Sequence, residues 1–238
     1  MTEEAVPTIR ERLVEAYTEI LSPEILAKFE GTDDGLAGVF LPSAPECAMD
    51  VMIVGMETKG WNGAFSDIRS EDLSSYISHA MERHTNYLAK RPSRSSFEQF
   101  HRKVAKRLGC ERNQIGWGNV LAVDYKKGTP VHCRAFEAIQ ELSSLLLRKQ
   151  VEIIQPKTII FVCGWRYDKY LKHCLGDLIS GSIVHTPKAL WQFTVGDTLC
   201  FRTSHPRYVS GDRYREKALS LALDHIAKHH PARRPSNP

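Results

Sequence analysis

Val51-Met52-Ile53-Val54 is a short apolar run, and the segment Gly55-Met56-Glu57-Thr58-Lys59-Gly60-Trp61-Asn62-Gly63 follows it directly. An apolar run that is rich in β-branched residues and bounded by turn residues predicts a buried strand ending in a loop. Glycines directly after a strand allow the backbone to approach a ligand closely. The loop lacks G-x-G-x-x-G and G-K-[ST], which argues against dinucleotide-binding and P-loop sites. Its carboxylate, Glu57, can position a water or act as a base; the alternative is that it caps the next helix.

Apolar and amphipathic segments alternate along the rest of the chain. We predict helices over 8–29, 71–90, 95–108, 132–151, 166–175 and 212–229, strands over 115–124 and 158–163, and two short strands within 191–203. This alternation predicts an α/β fold with a mainly parallel sheet. Ligands bind beyond the carboxyl ends of the strands in such sheets. We therefore expect the residues that follow each strand to meet at one edge.

The length and composition point to one domain. The chain has 238 residues, of which 42% are hydrophobic, so it can bury a core and is too apolar to be disordered. No stretch repeats at a solenoid period. We predict a single domain over 1–238 that includes an N-terminal helical extension over 1–47 and ends in a disordered basic tail over 231–238.

The charge is distributed unevenly along the chain. The net charge is +4, but residues 1–50 hold 3 basic and 11 acidic side chains, whereas residues 51–238 hold 29 basic and 17 acidic ones. A basic body suggests an anionic partner, and nucleic acid is the commonest such partner. Ordinary solvated surface is the alternative that charge alone leaves open.

The cysteines and the N-terminus narrow the class further. None of the six cysteines forms a C-x-x-C pair, which argues against a zinc or iron–sulfur site. The N-terminus has no secretory signal, and the apolar runs are too short to span a bilayer. We expect a cytoplasmic monomer with free thiols, no metal, no cofactor and no membrane partner.

Two further polar signals accompany predicted strands. Thr203-Ser204-His205-Pro206-Arg207 places a histidine just beyond a strand, where it can donate a hydrogen bond, although an ordinary surface histidine is more common. Asn119 lies inside the apolar segment 115–124. A buried amide must find partners; these are usually backbone groups, but an amide can also read the edge of a base.

In their order and spacing these motifs resemble the uracil-DNA glycosylase superfamily. The resemblance rests on strand–Gly55-x-Glu57, strand–Asn119-Val-Leu-Ala-Val, strand–Gly164 and Ser204-His205-Pro206, and covers about residues 50–225. It implies a three-layer α/β/α sandwich around a central, mainly parallel four-stranded sheet. It also implies hydrolysis of the N-glycosidic bond of a base that is flipped out of DNA.

The resemblance assigns a role to each motif residue. Glu57 corresponds to the carboxylate that activates or orients water, and His205 to the histidine that stabilises negative charge on the departing base. Asn119 corresponds to the amide that reads the pyrimidine edge, in a base pocket to which Gly55, Met56 and Lys59 contribute. The loop that enters the duplex and fills the gap corresponds to Arg207, Tyr208 and Val209.

The proposed chemistry also needs phosphate contacts and a stacking surface. The candidates for phosphate contact are basic side chains, each of which can equally be ordinary solvated surface: Arg102, Lys103, Lys106, Arg107, Lys126, Lys127 and Arg166. Trp61 or Phe65 can supply the stacking face. The alternative is that one of these two rings is a core anchor.

One departure from the family bears on the substrate. In the best-known branch the first motif reads Gly-Gln-Asp-Pro-Tyr, and its tyrosine blocks bulky groups at the pyrimidine 5-position. Here Lys59 stands at that position, between a threonine and Gly60. We therefore expect a bulky modified pyrimidine, such as hydroxymethylated or glucosylated cytosine, and with it a role in anti-phage defence. The alternatives are an ordinary uracil-DNA glycosylase in base-excision repair, a non-catalytic DNA-binding module and a small-molecule α/β enzyme.

Overall fold

The structure, a computed structural model, describes residues 6–32, 35–45, 47, 49–91 and 93–229. The predicted tail over 231–238 lies outside these residues. The helices are α1 Ile9–Ile20, α2 Pro23–Ala27, α3 Leu73–Ala89, α4 Ser96–Leu108, α5 Phe136–Ile154, α6 Asp168–Leu175 and α7 Asp212–His229. The strands are β1 Val51–Gly55, β2 Gly116–Asn119, β3 Thr158–Phe161, β4 Ile179–Thr186, β5 Leu190–Val195 and β6 Thr198–Arg202.

The strands form one mixed sheet in the order β2-β1-β3-β6-β5-β4. The neighbours β2, β1, β3 and β6 run parallel to one another, whereas β5 is antiparallel to β6 and β4 is antiparallel to β5. The predicted mainly parallel sheet is confirmed, but the sheet of the described residues has six strands, whereas the sequence pattern predicted five and the resemblance implied a sheet of four. The two strands within 191–203 are β5 and β6, and β4 is an edge strand that the sequence did not reveal.

Helices cover both faces of the sheet. Alternate residues of β1 point to opposite faces, so Met52 packs with the apolar side chains of α5 and α6, and Ile53 packs with those of α4 and α7. This places the sheet in the middle of an α/β sandwich. Within the described part of the chain, no helix is both long and apolar enough to cross a membrane.

The described part of the predicted N-terminal extension belongs to the same core. Helix α1 packs against α5, and the ring of Tyr17 is fully buried with its hydroxyl donating to the carbonyl of Pro42 at 2.8 Å. Thr8 and Glu11 form a capping box that starts α1. The segment predicted as helical over 8–29 forms two helices, since α1 ends at Ile20 and Pro23 begins α2.

The predicted strand over 115–124 is too long. The ladder of β2 ends at Asn119, after which the amides of Val120 and Leu121 still donate to the carbonyls of Gly55 and Met56. The following residues then form a buried loop that leads to Asp124. This early end matters because it brings Asn119 to the edge of the sheet rather than leaving it inside a strand.

Candidate active site

The carboxyl ends of the four neighbouring parallel strands meet at one edge. Asn119 ends β2 directly opposite Gly55 at the end of β1. On the next pair of strands, the amide of Gly164 donates to the carbonyl of Thr203 at 2.9 Å, which aligns the loops after β3 and β6. The predicted meeting of the strand ends is therefore confirmed for these loops.

Glu57 is half-buried in the loop after β1 and is held by a tyrosine. The hydroxyl of Tyr167 donates a hydrogen bond to Oε2 of Glu57, and lies 3.3 Å from the hydroxyl of Thr129. Burial raises the pKa of Glu57, while the Tyr167 bond and the charge of Arg207 act to lower it. Because the carboxylate of Glu57 accepts from Tyr167 in the turn after β3, the structure does not show Glu57 as a helix cap.

Tyr167 is a site residue that the sequence did not reveal. It lies in the short turn Trp165–Tyr167 between β3 and α6, and burial together with the neighbouring carboxylate raises its pKa. The phenol therefore keeps its proton and remains a donor at neutral pH. Tyr167 belongs to no motif. The nearest residue of a sequence motif is Gly164, at the end of the predicted strand.

Asn119 presents a buried amide with an unused donor. Only 5% of the residue is exposed, and its Nδ2 has no hydrogen-bond partner among the described residues. A Cβ at position 55 would lie 2.7 Å from Oδ1 of Asn119 and 3.3 Å from the ring of Phe97. Position 55 therefore requires glycine, because a Cβ there would collide with the oxygen of the amide. A buried donor of this kind calls for a ligand or an ordered water.

Phe97 supplies an aromatic ring next to Gly55 and Asn119. It lies in the first turn of α4, and its ring packs at 5.1 Å from the ring of Trp117. The sequence did not single it out, because a phenylalanine at the start of an amphipathic helix fits an ordinary core position equally well.

His205 is neutral and has a defined tautomer. Its Nδ1 accepts from the backbone amide of Arg207 at 3.2 Å, so in the neutral ring the proton lies on Nε2. Burial and the charges of Arg207 and Arg215 lower the pKa of His205 to about 4. At neutral pH the ring is therefore a hydrogen-bond donor through Nε2 that carries no charge.

The loop that carries His205 is fixed to α7 by a buried arginine. Arg215 donates from Nη1 to the hydroxyl of Ser204 at 2.9 Å and to the carbonyls of His205 and Tyr208, each at 3.1 Å. Gly211 makes this packing possible, because a Cβ there would lie 1.8 Å from Oγ of Ser204.

The predicted DNA-contacting loop stands at the surface. Tyr208 is 52% exposed and Val209 is 85% exposed. The guanidinium of Arg207 lies 5.2 Å from the ring of Tyr208, and its Nη2 is 4.0 Å from Sδ of Met56. Arg207 thus reaches from the loop after β6 to the loop after β1.

A second network fixes the loop around Lys59. The fully buried Asp124 accepts from the hydroxyl of Thr58 at 2.8 Å, from the amide of Gly60 at 2.7 Å and from the amide of Lys127 at 3.0 Å. This carboxylate, which the sequence did not single out, ties two loops together. Lys59 is exposed on one of them. The other carries Lys126 and Lys127, both with a left-handed backbone.

The prediction that Trp61 or Phe65 stacks on a base is wrong. Trp61 is buried against Phe40 and Trp117, with ring centroids at 5.3 and 6.0 Å. Phe65 is buried and stacks on Phe29 at 4.2 Å. Both rings turn into the core, because the burial of large aromatic side chains is favourable. The sequence pattern allowed for only one of the two rings to be a core anchor.

The basic residues of α4 fall into two groups. Lys103 and Arg107 both pair with Glu216, which links α4 to α7. Arg102 bonds to Gln99 of its own helix, and Lys106 is exposed. Phe97 lies at the site, so Arg107 lies about 15 Å further along the helix axis. Of the remaining candidates, Arg166 is exposed at the edge that holds Tyr167.

Among the described residues, no three histidine, cysteine, aspartate or glutamate side chains are grouped so as to hold a metal ion. Neither a scan against protein-family models nor a search of curated proteins found a match to this chain.

Proposed function

We propose that the protein is a DNA glycosylase that hydrolyses the N-glycosidic bond of a pyrimidine flipped out of DNA. The observation that carries this proposal is the row of Asn119, Glu57, Tyr167 and His205, which follow four neighbouring parallel strands at one edge of the sheet. Within this proposal, β2, β1, β3 and β6 are the glycosylase-type parallel sheet, and β4 and β5 are an addition to it.

Asn119 and Phe97 recognise the base. The unpartnered Nδ2 donor and the Oδ1 acceptor of Asn119 match the alternating groups on a pyrimidine edge. The ring of Phe97 provides a stacking face beside them. Because Gly55 carries no side chain, Asn119 and Phe97 can approach the end of β1 closely.

Hydrolysis uses Glu57 and His205, which follow the parallel strands β1 and β6 at the same edge of the sheet. Water adds to C1′ of the sugar, the C1′–N bond breaks, and its electron pair leaves with the base. Tyr167 occupies Oε2 of Glu57, so the carboxylate orients the water and takes its proton through Oε1. The same negative charge stabilises the cationic sugar of the transition state.

His205 stabilises the departing base. Its Nε2–H donates to the base carbonyl on which negative charge develops, and the base is later protonated by solvent. The neutral ring can fill this role because the backbone amide of Arg207 bonds to Nδ1, which leaves the proton on Nε2 before the substrate binds.

Basic side chains around the edge bind phosphate, and Lys59 faces the substrate. We assign the phosphate contacts to Arg207, Lys126, Lys127 and Arg166, with Tyr208 and Val209 as the loop that takes the place of the flipped base. Lys59 can donate to an oxygen-rich group at the pyrimidine 5-position. The substrate is accordingly a hydroxymethylated or glucosylated cytosine, and since phage DNA carries such bases, the role is anti-phage defence.

The test is base release from defined DNA. Oligonucleotides that contain a single uracil, 5-hydroxymethylcytosine or glucosylated 5-hydroxymethylcytosine are incubated with the protein and then assayed for alkali-labile abasic sites. We expect cleavage at the modified cytosines, and a loss of about 100-fold or more in E57Q. The control variant is E152Q, which removes a carboxylate from an exposed pair with Lys149. Release of uracil alone would contradict the assignment of the substrate, and release of no base would contradict the proposal.

A further inference from the structure

Trp165 is a large aromatic residue that lies at the site edge and is 45% exposed. It directly follows Gly164, whose amide is bonded to Thr203 two residues before His205. The turn Trp165–Tyr167 therefore begins with an exposed indole and ends with the tyrosine that holds Glu57. The proposed hydrolysis uses only the second of these rings.

Two cations lie against the indole. Nζ of Lys188 is 5.0 Å from the ring centroid of Trp165, and the guanidinium carbon of Arg166 is 5.6 Å from it. Both distances fall within the range of cation–π attraction. In the part of the chain that the structure describes, neither cation pairs with a carboxylate. Their charge is thus available to an anionic ligand.

The position of Lys188 is built into the fold. Lys188 lies in the turn between β4 and β5, and its carbonyl accepts from Nη1 of Arg202 at 3.0 Å. Arg202, which ends β6, is itself held by the carboxylate of Asp168 at the start of α6, with Nε to Oδ1 at 2.7 Å. This almost fully buried arginine fixes the turn of the additional hairpin to the same edge as His205.

A second aromatic–cation unit occupies the neighbouring loop. There the guanidinium of Arg207 lies over the exposed ring of Tyr208. Exposed aromatic rings combined with cations are the arrangement by which proteins bind single-stranded nucleic acid, since the rings stack on bases and the cations contact the backbone. In a duplex the bases adjoining the target remain stacked on one another and are not available to an indole.

We propose that Trp165, Arg166 and Lys188 form a binding surface for single-stranded DNA next to the flipped nucleotide. The proposal rests on the glycosylase function above and specifies its partner: the indole stacks on an unpaired base, and the two cations contact the adjoining phosphates. The additional hairpin β4–β5 then has a function, which is to bring Lys188 to the site edge.

The experiment measures the binding of unmodified, fluorescein-labelled oligonucleotides, single-stranded and duplex, by fluorescence anisotropy at several salt concentrations. We expect W165A to weaken single-strand binding about 10-fold, and W165F, which keeps a stacking face, to bind within about threefold of the unaltered protein. Lys188 has a left-handed backbone, so K188N removes its charge with a residue that tolerates this conformation. We expect K188N to weaken binding and to lower its salt dependence.

Duplex binding serves as the internal comparison, and V184A, at an exposed apolar residue of β4, serves as the control variant. We expect duplex binding to be nearly unchanged in W165A and K188N, and single-strand binding to be nearly unchanged in V184A. Wild-type single-strand affinity in W165A and K188N would overturn the inference while leaving the proposed function standing. An equal loss of single-strand and duplex binding would overturn the assignment to single strands. If the unaltered protein binds neither DNA in a salt-dependent way, the proposed function itself fails.

Discussion

Glu57 lies in a half-buried position that penalises its charged form, and Tyr167 offsets that penalty with a hydrogen bond. We expect Y167F to raise the pKa of Glu57 further, because the bond favours the carboxylate over the protonated acid. The proposed hydrolysis needs the carboxylate, so the acidic limb of the pH–rate profile should move to higher pH. The measurement is the single-turnover rate of base release between pH 4 and 8, roughly the range over which a raised carboxyl pKa falls.

The control for this prediction is Y170F. Tyr170 packs against Tyr167 with ring centroids 5.4 Å apart, but it is Tyr167 whose hydroxyl bonds to Glu57. A structural effect of removing a hydroxyl would appear in both variants. An unchanged pH profile in Y167F would show that Tyr167 does not tune Glu57. The pKa of Glu57 can also be followed by carboxyl NMR, which separates this question from whether base release occurs.

His205 is expected to act through a hydrogen bond and not through proton transfer. With its pKa lowered to about 4, it is neutral above about pH 5. Above that pH, H205A should therefore lower the rate of base release about 100-fold to 1000-fold without altering the shape of the profile. A loss of melting temperature as large as the loss of activity would instead assign His205 a structural role.

Among the elements, the segment from β6 to α7 depends on the absence of a side chain at Gly211. A Cβ there would lie 2.7 Å from Cβ of Ser204 as well as 1.8 Å from its hydroxyl, and Arg215 closes the remaining side at 3.0 Å. We expect G211A to destabilise the fold by about 1–3 kcal/mol and to displace His205, so that activity falls as well. Urea unfolding and base release together check this expectation.

The comparison is G176A at the end of α6. There the added Cβ would meet only Cβ of Lys172, at an ordinary 3.7 Å, and the backbone is helical. This variant should be nearly neutral or slightly stabilising. If G211A behaved in the same way, the close packing of Ser204 against α7 would not hold His205 in place.

The elements also show why sequence patterns predicted the sheet only in part. The buried strands β1 and β3 are predicted from their apolar runs, and the loops after them are predicted from the turn residues that end those runs. The segment ISGSIVHT, which forms β4, is mostly exposed and shows no alternation of apolar and polar residues, so the sequence pattern does not predict a strand there. It is a strand because it pairs with β5. Conversely, the apolar run continues past Asn119 because its residues line a buried loop, which lengthened the predicted strand.

The residues of the candidate site that belong to a sequence motif were predicted. Those that only the fold brings to the site were missed. Glu57, Asn119 and His205 each follow a recognisable strand. Tyr167, Phe97 and Asp124 reach the site from a turn, a helix and a loop, and their role depends on contacts between distant segments. Trp61 illustrates the reverse case, since a sequence pattern does not reveal whether an aromatic side chain in a loop faces solvent or the core.

For the whole molecule, two histidines far inside the fold predict sensitivity to acid. Burial lowers the pKa of His84 and of His101 to about 3. The unfolded chain binds protons at these residues from about pH 6.5, so the free energy of unfolding should fall as the pH drops below that value. At pH 5 the expected loss is about 2 kcal/mol for each histidine.

This expectation is checked by urea unfolding at pH 7.5 and at pH 5. H101F keeps a ring among the neighbouring Phe97 and Trp117 and removes the titrating group, so it should lose less stability on acidification than the unaltered protein. H173F, at an exposed histidine, is the control. Equal acid sensitivity in H101F would show that His101 does not contribute to it.

The whole account depends on whether the row of residues at the sheet edge hydrolyses a glycosidic bond. The most direct measurement is mass spectrometry of the free base released from an oligonucleotide with one 5-hydroxymethylcytosine, alongside a count of abasic sites. We predict that free base and abasic sites appear in equal amounts with the unaltered protein, and fall together in E57Q. If the protein binds the DNA but releases neither this base nor its glucosylated form nor uracil, the central claim is contradicted.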